Sequence, residues 1–298
     1  MARRVLVIIP CFNERASLPG LVAELRAMPA GRDRLELLVV DDGSSDGTSS
    51  VARALGVRAV RLCSNLGIGG AVQTGLRLAL AEGFDCAVQL DGDGQHPAEG
   101  LAALLARLDA PAPPDLIVGS RFLQRSGFQS TPARRLGIAW LSLLLRVFAR
   151  LAVSDPTSGF RVYGPRALQL FDWRYPYDYP EPEALALASR AGLTIAEEPV
   201  EMRARAAGQS SISGLGPAYY MLKVTIAILL NLVRNARIPH AQPLPAPLPQ
   251  PASGTSLEPS LGTSAESTWS PSSVATGSSP PSAAASPSSS SGSSPGSG

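Results

Sequence analysis

Val88-Gln89-Leu90-Asp91-Gly92-Asp93-Gly94-Gln95-His96-Pro97 is the stretch on which the reading of this chain turns. It begins as a short buried strand, ends in two carboxylates one residue apart, and offers a helix start at Pro97. In extended chain, residues i and i+2 lie on one side. Asp91 and Asp93 can therefore converge on one point, and Gln95 can add a further oxygen. Gly92 and Gly94 let the backbone turn tightly and leave room for a ligand. Hard oxygen donors suit Mg²⁺ or Mn²⁺, and Mg²⁺ commonly takes one or two carboxylates and completes its shell on substrate phosphates. An isolated D-x-D is far more often an acidic surface turn, so the neighbouring stretches must decide.

Towards the N-terminus the strand-then-acid pattern recurs. Residues 5–9 form a β-branched run suited to a strand covered on both faces. The loop Pro10-Cys11-Phe12-Asn13-Glu14 follows, then a helix to about Met28 with Ser17 as its cap. Residues 35–40 repeat the pattern and end in Asp41-Asp42-Gly43-Ser44-Ser45-Asp46-Gly47-Thr48. Acids and glycines just past a strand's carboxyl end lie where open parallel sheets bind ligands. A helix near 47–55 and a strand at 57–62 come next. Asn65-Leu66-Gly67-Ile68-Gly69-Gly70 opens a helix near 71–81. Its glycines resemble a dinucleotide fingerprint but stand after the third strand with the wrong spacing, which argues against a Rossmann dehydrogenase. A strand at 87–90, an amphipathic helix at 97–108 and a strand at 115–119 complete an alternation that predicts a mostly parallel sheet.

Beyond residue 119 the pattern changes. A polar loop with Arg121 and Arg125 precedes a strongly apolar helix over 134–153, which carries Arg146 and Arg150 on one face. Asp155-Pro156-Thr157-Ser158-Gly159-Phe160 is a turn before a short strand at 161–163. An aromatic, proline-rich stretch over 175–183 opens a helix to about 191. A strand at 194–200 and a polar, mobile loop at 203–213 follow. Residues 217–233 are apolar but interrupted by Lys223, and fall short of the roughly 20 apolar residues a bilayer span takes. A helix in the membrane interface, with Arg234 and Arg237 towards the headgroups, and a core helix of the domain both fit.

Composition sets the outer bounds. From Pro239 onward the chain is Pro-, Ser-, Ala- and Gly-rich, and too poor in apolar residues to offset the entropy of ordering. The tail's only acids are Glu258 and Glu266, so the remainder of a chain with 26 basic and 24 acidic residues carries a net charge of about +4. That mild excess does not imply a nucleic-acid partner. Cys11, Cys63 and Cys86 are odd in number and widely spaced, which argues against a disulfide framework or a zinc site. Arg3-Arg4 precedes too short an apolar run for an export signal and lacks a cleavage site, so a cytoplasmic protein is expected.

Taken in order, the motifs form a set: I-P-C-F-N-E (residues 9–14), V-V-D-D-G-S-S-D-G-T (39–48), N-L-G-I-G-G (65–70), D-G-D-G-Q-H-P (91–97), G-S-R-F (119–122) and D-P-T-S-G-F-R (155–161). Over about residues 5–233 the chain resembles the family 2 inverting glycosyltransferases of GT-A fold, nearest their dolichyl- and polyprenyl-phosphate sugar synthase branch. The resemblance implies a three-layer α/β/α fold with a mostly parallel, mixed central sheet. It divides the chain into a catalytic domain (1–214), an apolar, membrane-interfacial helix (215–237) and a disordered tail (238–298).

The same resemblance implies roles residue by residue. Pro10, Phe12 and Glu14 frame the nucleotide base and ribose, and Val40 and Asp42 contact the base. Asp91, Asp93 and Gln95 hold Mg²⁺ or Mn²⁺, with Gly92 beside the donor. Arg121 and Arg205 clamp phosphate oxygens. Ser211 stands where some relatives carry a phosphate-contacting lysine and offers a weaker, neutral bond. Arg134 and Arg135 meet the acceptor phosphate at a helix N-terminus, which already attracts anions, and Glu183 lies beside the acceptor. Asp155 either orients arginines or serves as a general base towards a saccharide hydroxyl. The implied reaction moves one sugar from a nucleotide-diphosphate donor to a polyprenyl phosphate, with inversion, at the inner face of the cytoplasmic membrane. Extension of a saccharide, and a non-catalytic nucleotide-sugar-binding or scaffold protein, remain as alternatives; the oligomeric state is not legible.

Overall fold

The computed structural model describes residues 2–28, 31, 33–124, 132–203 and 216–233. The first half alternates strand and helix as expected: β1 (Arg4–Cys11), α1 (Leu18–Ala27), β2 (Arg34–Asp41), α2 (Thr48–Ala54), β3 (Arg58–Arg61), α3 (Gly67–Ala81), β4 (Cys86–Gln89), α4 (Glu99–Ala106) and β5 (Leu116–Ser120). The second half runs α5 (Pro132–Phe148), β6 (Arg161–Tyr163), α6 (Pro165–Trp173), α7 (Pro180–Arg190), β7 (Ile195–Pro199) and α8 (Gly216–Val233).

The strands form one seven-stranded sheet in the order β3-β2-β1-β4-β6-β5-β7, with only β6 antiparallel to its neighbours. Because side chains alternate across a strand, β1 feeds two apolar layers. Leu6 and Ile8 enter the layer under α3, α6 and α7, while Val5, Val7 and Ile9 enter the layer under α1 and α4. Both faces are covered, which accounts for the unbroken apolar run of β1. Strand order reverses between β1 and β4, and open sheets of this kind bind ligands beyond the carboxyl ends at such a switch point. The D-x-D stretch leaves β4 at that place.

Two elements differ from the sequence reading. The helix expected over 134–153 ends at Phe148, and Arg150 lies outside it in the left-handed region at φ 53°. Leu151 N–H turns back to the Leu145 carbonyl (3.1 Å), so Arg146 and Arg150 do not share a helical face. Residues 164–174, which the pattern left unassigned, contain α6 (Pro165–Trp173), with Pro165 in its first turn and Ala167, Leu168, Leu170 and Phe171 buried. Among the described residues, no helix is long and apolar enough to cross a membrane. The tail over 238–298 lies outside the described residues.

Candidate active site

Loops leaving β1, β2, β3 and β4 line one cleft of about 680 Å³, walled by Pro10, Phe12, Glu14, Asp42, Asp91, Gly92 and Asp93 together with Asn65 from the β3–α3 connection and Ile68 from the start of α3. The structure thus brings together most of the residues expected to hold the donor. Val40 is placed elsewhere: it packs wholly within the apolar layer with Leu38 and is not on the cleft wall. The approach of the loops after β1 and β4 requires Gly92, since a Cβ there would stand 2.7 Å from Cys11 Sγ and 3.1 Å from the Pro10 carbonyl.

Side-chain bonds hold the loops to one another. Asn13, left-handed at φ 58°, accepts the Ser45 N–H on its Oδ1 (2.9 Å) and donates its own N–H to Ser44 Oγ (2.9 Å). Ser17, expected to cap α1, makes no capping bond and instead lies 2.6 Å from Glu14 Oε2 and 2.8 Å from the Gly92 carbonyl. Asp41 is buried and accepts from Ser44 N–H and Ser49 Oγ–H. Burial alone would raise its carboxyl pKa, but those bonds outweigh it and hold the group below the ordinary value. Asp42 accepts the Leu66 N–H (2.6 Å) at the start of α3, and its pKa is raised because burial outweighs that bond. Asp46 takes the Thr48 N–H (2.9 Å) at the start of α2.

On the cleft wall Asp93 is 7 % exposed and accepts the Gln95 N–H (3.0 Å), which fixes the turn after the second carboxylate. The Gln95 amide donates to the Arg203 carbonyl (3.4 Å), and Arg203 N–H returns to the Gln95 carbonyl (2.9 Å). His96, which the sequence reading gave no role, is buried against Phe160 with ring centroids 5.0 Å apart. Burial lowers its pKa to about 4, so the imidazole is neutral at pH 7, with Nε2 3.9 Å from Asp91 Oδ2.

Among the described residues no group of three or more His, Cys, Asp or Glu side chains converges. Two carboxylates on a cleft wall do not make the closed cage of a structural metal site. They suit a small hard cation that completes its shell on phosphate oxygens, and so fit Mg²⁺ or Mn²⁺.

Beside the carboxylates lies a second charged unit. Arg121 and Asp155, read separately in the sequence, form a bidentate pair: Nε to Oδ2 at 2.5 Å and Nη2 to Oδ1 at 2.6 Å. Arg121 is 5 % exposed and Asp155 0 %. Thr157 Oγ1 accepts a further bond from Arg121 Nη2 (2.8 Å). Glu197 on β7 braces the turn by accepting the N–H groups of Ser154 (2.8 Å) and Asp155 (3.0 Å). Arg161, fully buried, donates to the carbonyls of Ser158 (2.8 Å), Pro156 (3.3 Å) and Glu181 (2.8 Å), joining the turn to α7. Burial raises the Glu181 carboxyl pKa against the lowering effect of Arg161, and Asp91 adds to the rise. Sequence reasoning gave no role to Glu197, Thr157 or Glu181; Thr157 stands inside the D-P-T-S-G-F-R motif and Glu181 in the proline-rich 175–183 stretch, whereas nothing local marks Glu197. Glu183 is buried at the start of α7 and Arg135 is exposed on α5. Arg125, Arg205, Ser211 and the side chain of Arg134 lie outside the described residues.

The chain belongs to glycosyl transferase family 2, whose model matches residues 6–170. It is 33% identical over 233 residues to the polyprenol monophosphomannose synthase of Mycolicibacterium smegmatis, covering 74% of this chain and 86% of that one. It is 34% identical over 225 residues to the undecaprenyl-phosphate mannosyltransferase of Micrococcus luteus, covering 71% and 88%. Among solved structures, glucosyl-3-phosphoglycerate synthase from Mycobacterium tuberculosis, in complex with Mn²⁺, UDP and glucosyl-3-phosphoglycerate, is similar with a TM-score of 0.59. The identity is 22%, over 77% of this chain and 80% of that one, so the likeness is one of GT-A fold.

Proposed function

We propose that this glycosyltransferase moves a single sugar from a nucleotide-diphosphate donor to a polyprenyl phosphate, by one in-line displacement with inversion and no covalent enzyme intermediate. The observation that carries the reading is the joining of Pro10, Phe12, Asp42, Asp91 and Asp93 in one cleft at the β1/β4 switch point. The mannosyltransferase relatives named for polyprenol and undecaprenyl phosphate support the acceptor.

In this reading Pro10 and Phe12 cover the base, and Asp42 accepts from a base N–H or a ribose hydroxyl. Asp91 and Asp93, with Gln95 as a further oxygen ligand, would hold Mg²⁺ or Mn²⁺, which when bound neutralises charge growing on the departing diphosphate. Arg121, aimed by Asp155, adds a fixed cation beside them, and Arg205 and Ser211 contribute from the 203–213 segment. Arg134 and Arg135 meet the acceptor phosphate, with Glu183 close by. Both oxygens of Asp155 are occupied by the Arg121 guanidinium. That suits Asp155 to holding the cation and not to taking a proton from a saccharide hydroxyl. A phosphate acceptor, already anionic, needs no such base. The test is a panel of nucleotide sugars assayed with Mg²⁺ or Mn²⁺ and a short-chain polyprenyl phosphate. A product heavier than the acceptor by one sugar is expected with at least one donor, and no such mass with any donor sinks the proposal.

Our reading of the domains keeps the catalytic unit at 1–214, an interfacial helix at 215–237 and a disordered tail at 238–298. Helices α5 and α8 pack side by side, with Trp140 Nε1 donating to Thr225 Oγ1 (3.1 Å). They expose Leu136, Trp140, Leu143 and Val147 on one and Leu222, Ile226 and Leu230 on the other. Exposed Arg135, Arg146 and Lys223 share those helices. Apolar stripes with flanking cations fit peripheral attachment to an anionic bilayer surface at its cytoplasmic side. Replacing Leu136, Leu143 and Val147 together by Ser is expected to reduce co-sedimentation with phosphatidylglycerol vesicles at least about tenfold; unchanged sedimentation speaks against that face.

A further inference from the structure

The turn that carries Asp155 also touches the carboxylates. A methyl group built on Gly159 would stand 2.6 Å from Asp91 Oδ2 and 2.8 Å from Oδ1. Both distances are well inside van der Waals contact, so the Asp91 carboxylate rests against the bare face of this glycine. Gly159 is absent from the glycines in the left-handed region. Backbone freedom is therefore not what requires glycine here; space is.

The turn has little room to retreat. Ser158, Phe160 and Arg161 around Gly159 are all buried, and Arg161 ties the carbonyls of Pro156 and Ser158 to that of Glu181. Asp91 Oδ2 also lies 3.9 Å from Nε2 of His96, which is itself backed by the Phe160 ring. A side chain at 159 would meet the end of a carboxylate and not backbone, so the carboxylate is the part that gives way.

We infer that Gly159 is a positioning residue for Asp91: the missing side chain sets where this carboxylate stands relative to Asp93, and so how well the pair can share one cation. The inference rests on reading Asp91 and Asp93 as metal ligands. It makes the 155–161 turn a common support, holding Arg121 through Asp155 at one end and seating Asp91 at Gly159.

The test is Mn²⁺ binding to the full chain, followed by loss of the free Mn²⁺ electron paramagnetic resonance signal, with Mn²⁺ alone and with GDP or UDP added. Gly159→Ala is expected to raise the Kd about ten- to a hundredfold, the range seen when groups supporting a metal ligand are altered. Ser158→Ala, which removes only the bond from Phe160 N–H to Ser158 Oγ in the same turn, is expected to leave it within about twofold. Wild-type affinity in Gly159→Ala, with binding lost in Asp93→Asn, overturns the positioning role and leaves the metal reading standing. No Mn²⁺ binding by the wild type overturns both. If Gly159→Ala proves unstable, the melting temperature decides: the penalty of Gly159→Ala should largely vanish in an Asp91→Ala background, where the carboxylate no longer occupies the space. An equal penalty in both backgrounds overturns the inference.

Discussion

Replacing Asp91 and Asp93 together by Asn is expected to lower kcat/KM for transfer by roughly a thousandfold or more while leaving the protein folded. The two side chains keep their shape, and the amide oxygen placed at position 93 can still accept the Gln95 N–H that Asp93 accepts at 3.0 Å. What is lost is charge. A neutral amide is a poor ligand for a hard cation, and no third carboxylate, imidazole or thiolate converges among the described residues to replace it. Folding should not suffer, because Asp93 is buried and the charge of Asp91 already pushes the Glu181 carboxyl pKa upward. Removing negative charge there relieves repulsion. Steady-state transfer and the melting temperature, measured on the same preparation, check both halves. Activity within tenfold of wild type would remove the two carboxylates from the mechanism.

Asp155→Ala is expected to be the most destabilising single change in the site, at about 3–5 kcal/mol, because it removes the compensating carboxylate from a guanidinium that the fold has already taken out of water. Arg121 and Asp155 are both buried and meet through two parallel bonds, so neither can turn to solvent when its partner is removed. Asp155→Asn, which retains an oxygen for one of those bonds, should cost less. The double variant Asp155→Ala/Arg121→Ala should recover part of the loss, since the uncompensated buried charge is removed as well. Urea unfolding of the three variants measures the coupling. A loss below about 1 kcal/mol for Asp155→Ala would mean that Arg121 is solvated in the folded protein, as surface ion pairs are, and that the pair does not hold the site.

The parts of the fold that were legible are those written in local chemistry. The β-branched run over 5–9, the acids and glycines after β2 and β4, and the alternation through residue 119 each encode their element in adjacent residues. The cleft followed because four loops leave the neighbouring strands β3, β2, β1 and β4 on the same edge of the sheet. What was not legible depends on contacts far apart in the chain. Nothing near Glu197 shows that its carboxylate will brace Ser154 and Asp155 more than forty residues away. Val40 reads as part of a binding motif, yet the alternation of β2 turns it into the core. Ser17 looks like a cap, but a closer acceptor on Glu14 and the Gly92 carbonyl claim its hydroxyl. The helix α6 had a usable signal in Gly164-Pro165 followed by Ala167, Leu168, Leu170 and Phe171, at helical spacing. The end of α5 at Phe148 did not, because the sequence stays apolar past the point where Arg150 turns left-handed.

In the proposed reaction the attacking group is the phosphate of a polyprenyl lipid. The most direct measurement supplies one radiolabelled nucleotide sugar, the donor that the panel selects, with Mn²⁺ and two acceptors in separate reactions: a short-chain polyprenyl phosphate and a free oligosaccharide. Label is expected in an organic-extractable product that mild acid releases as free sugar, and none in the oligosaccharide. Label in the oligosaccharide with none in the lipid would contradict the proposed reaction.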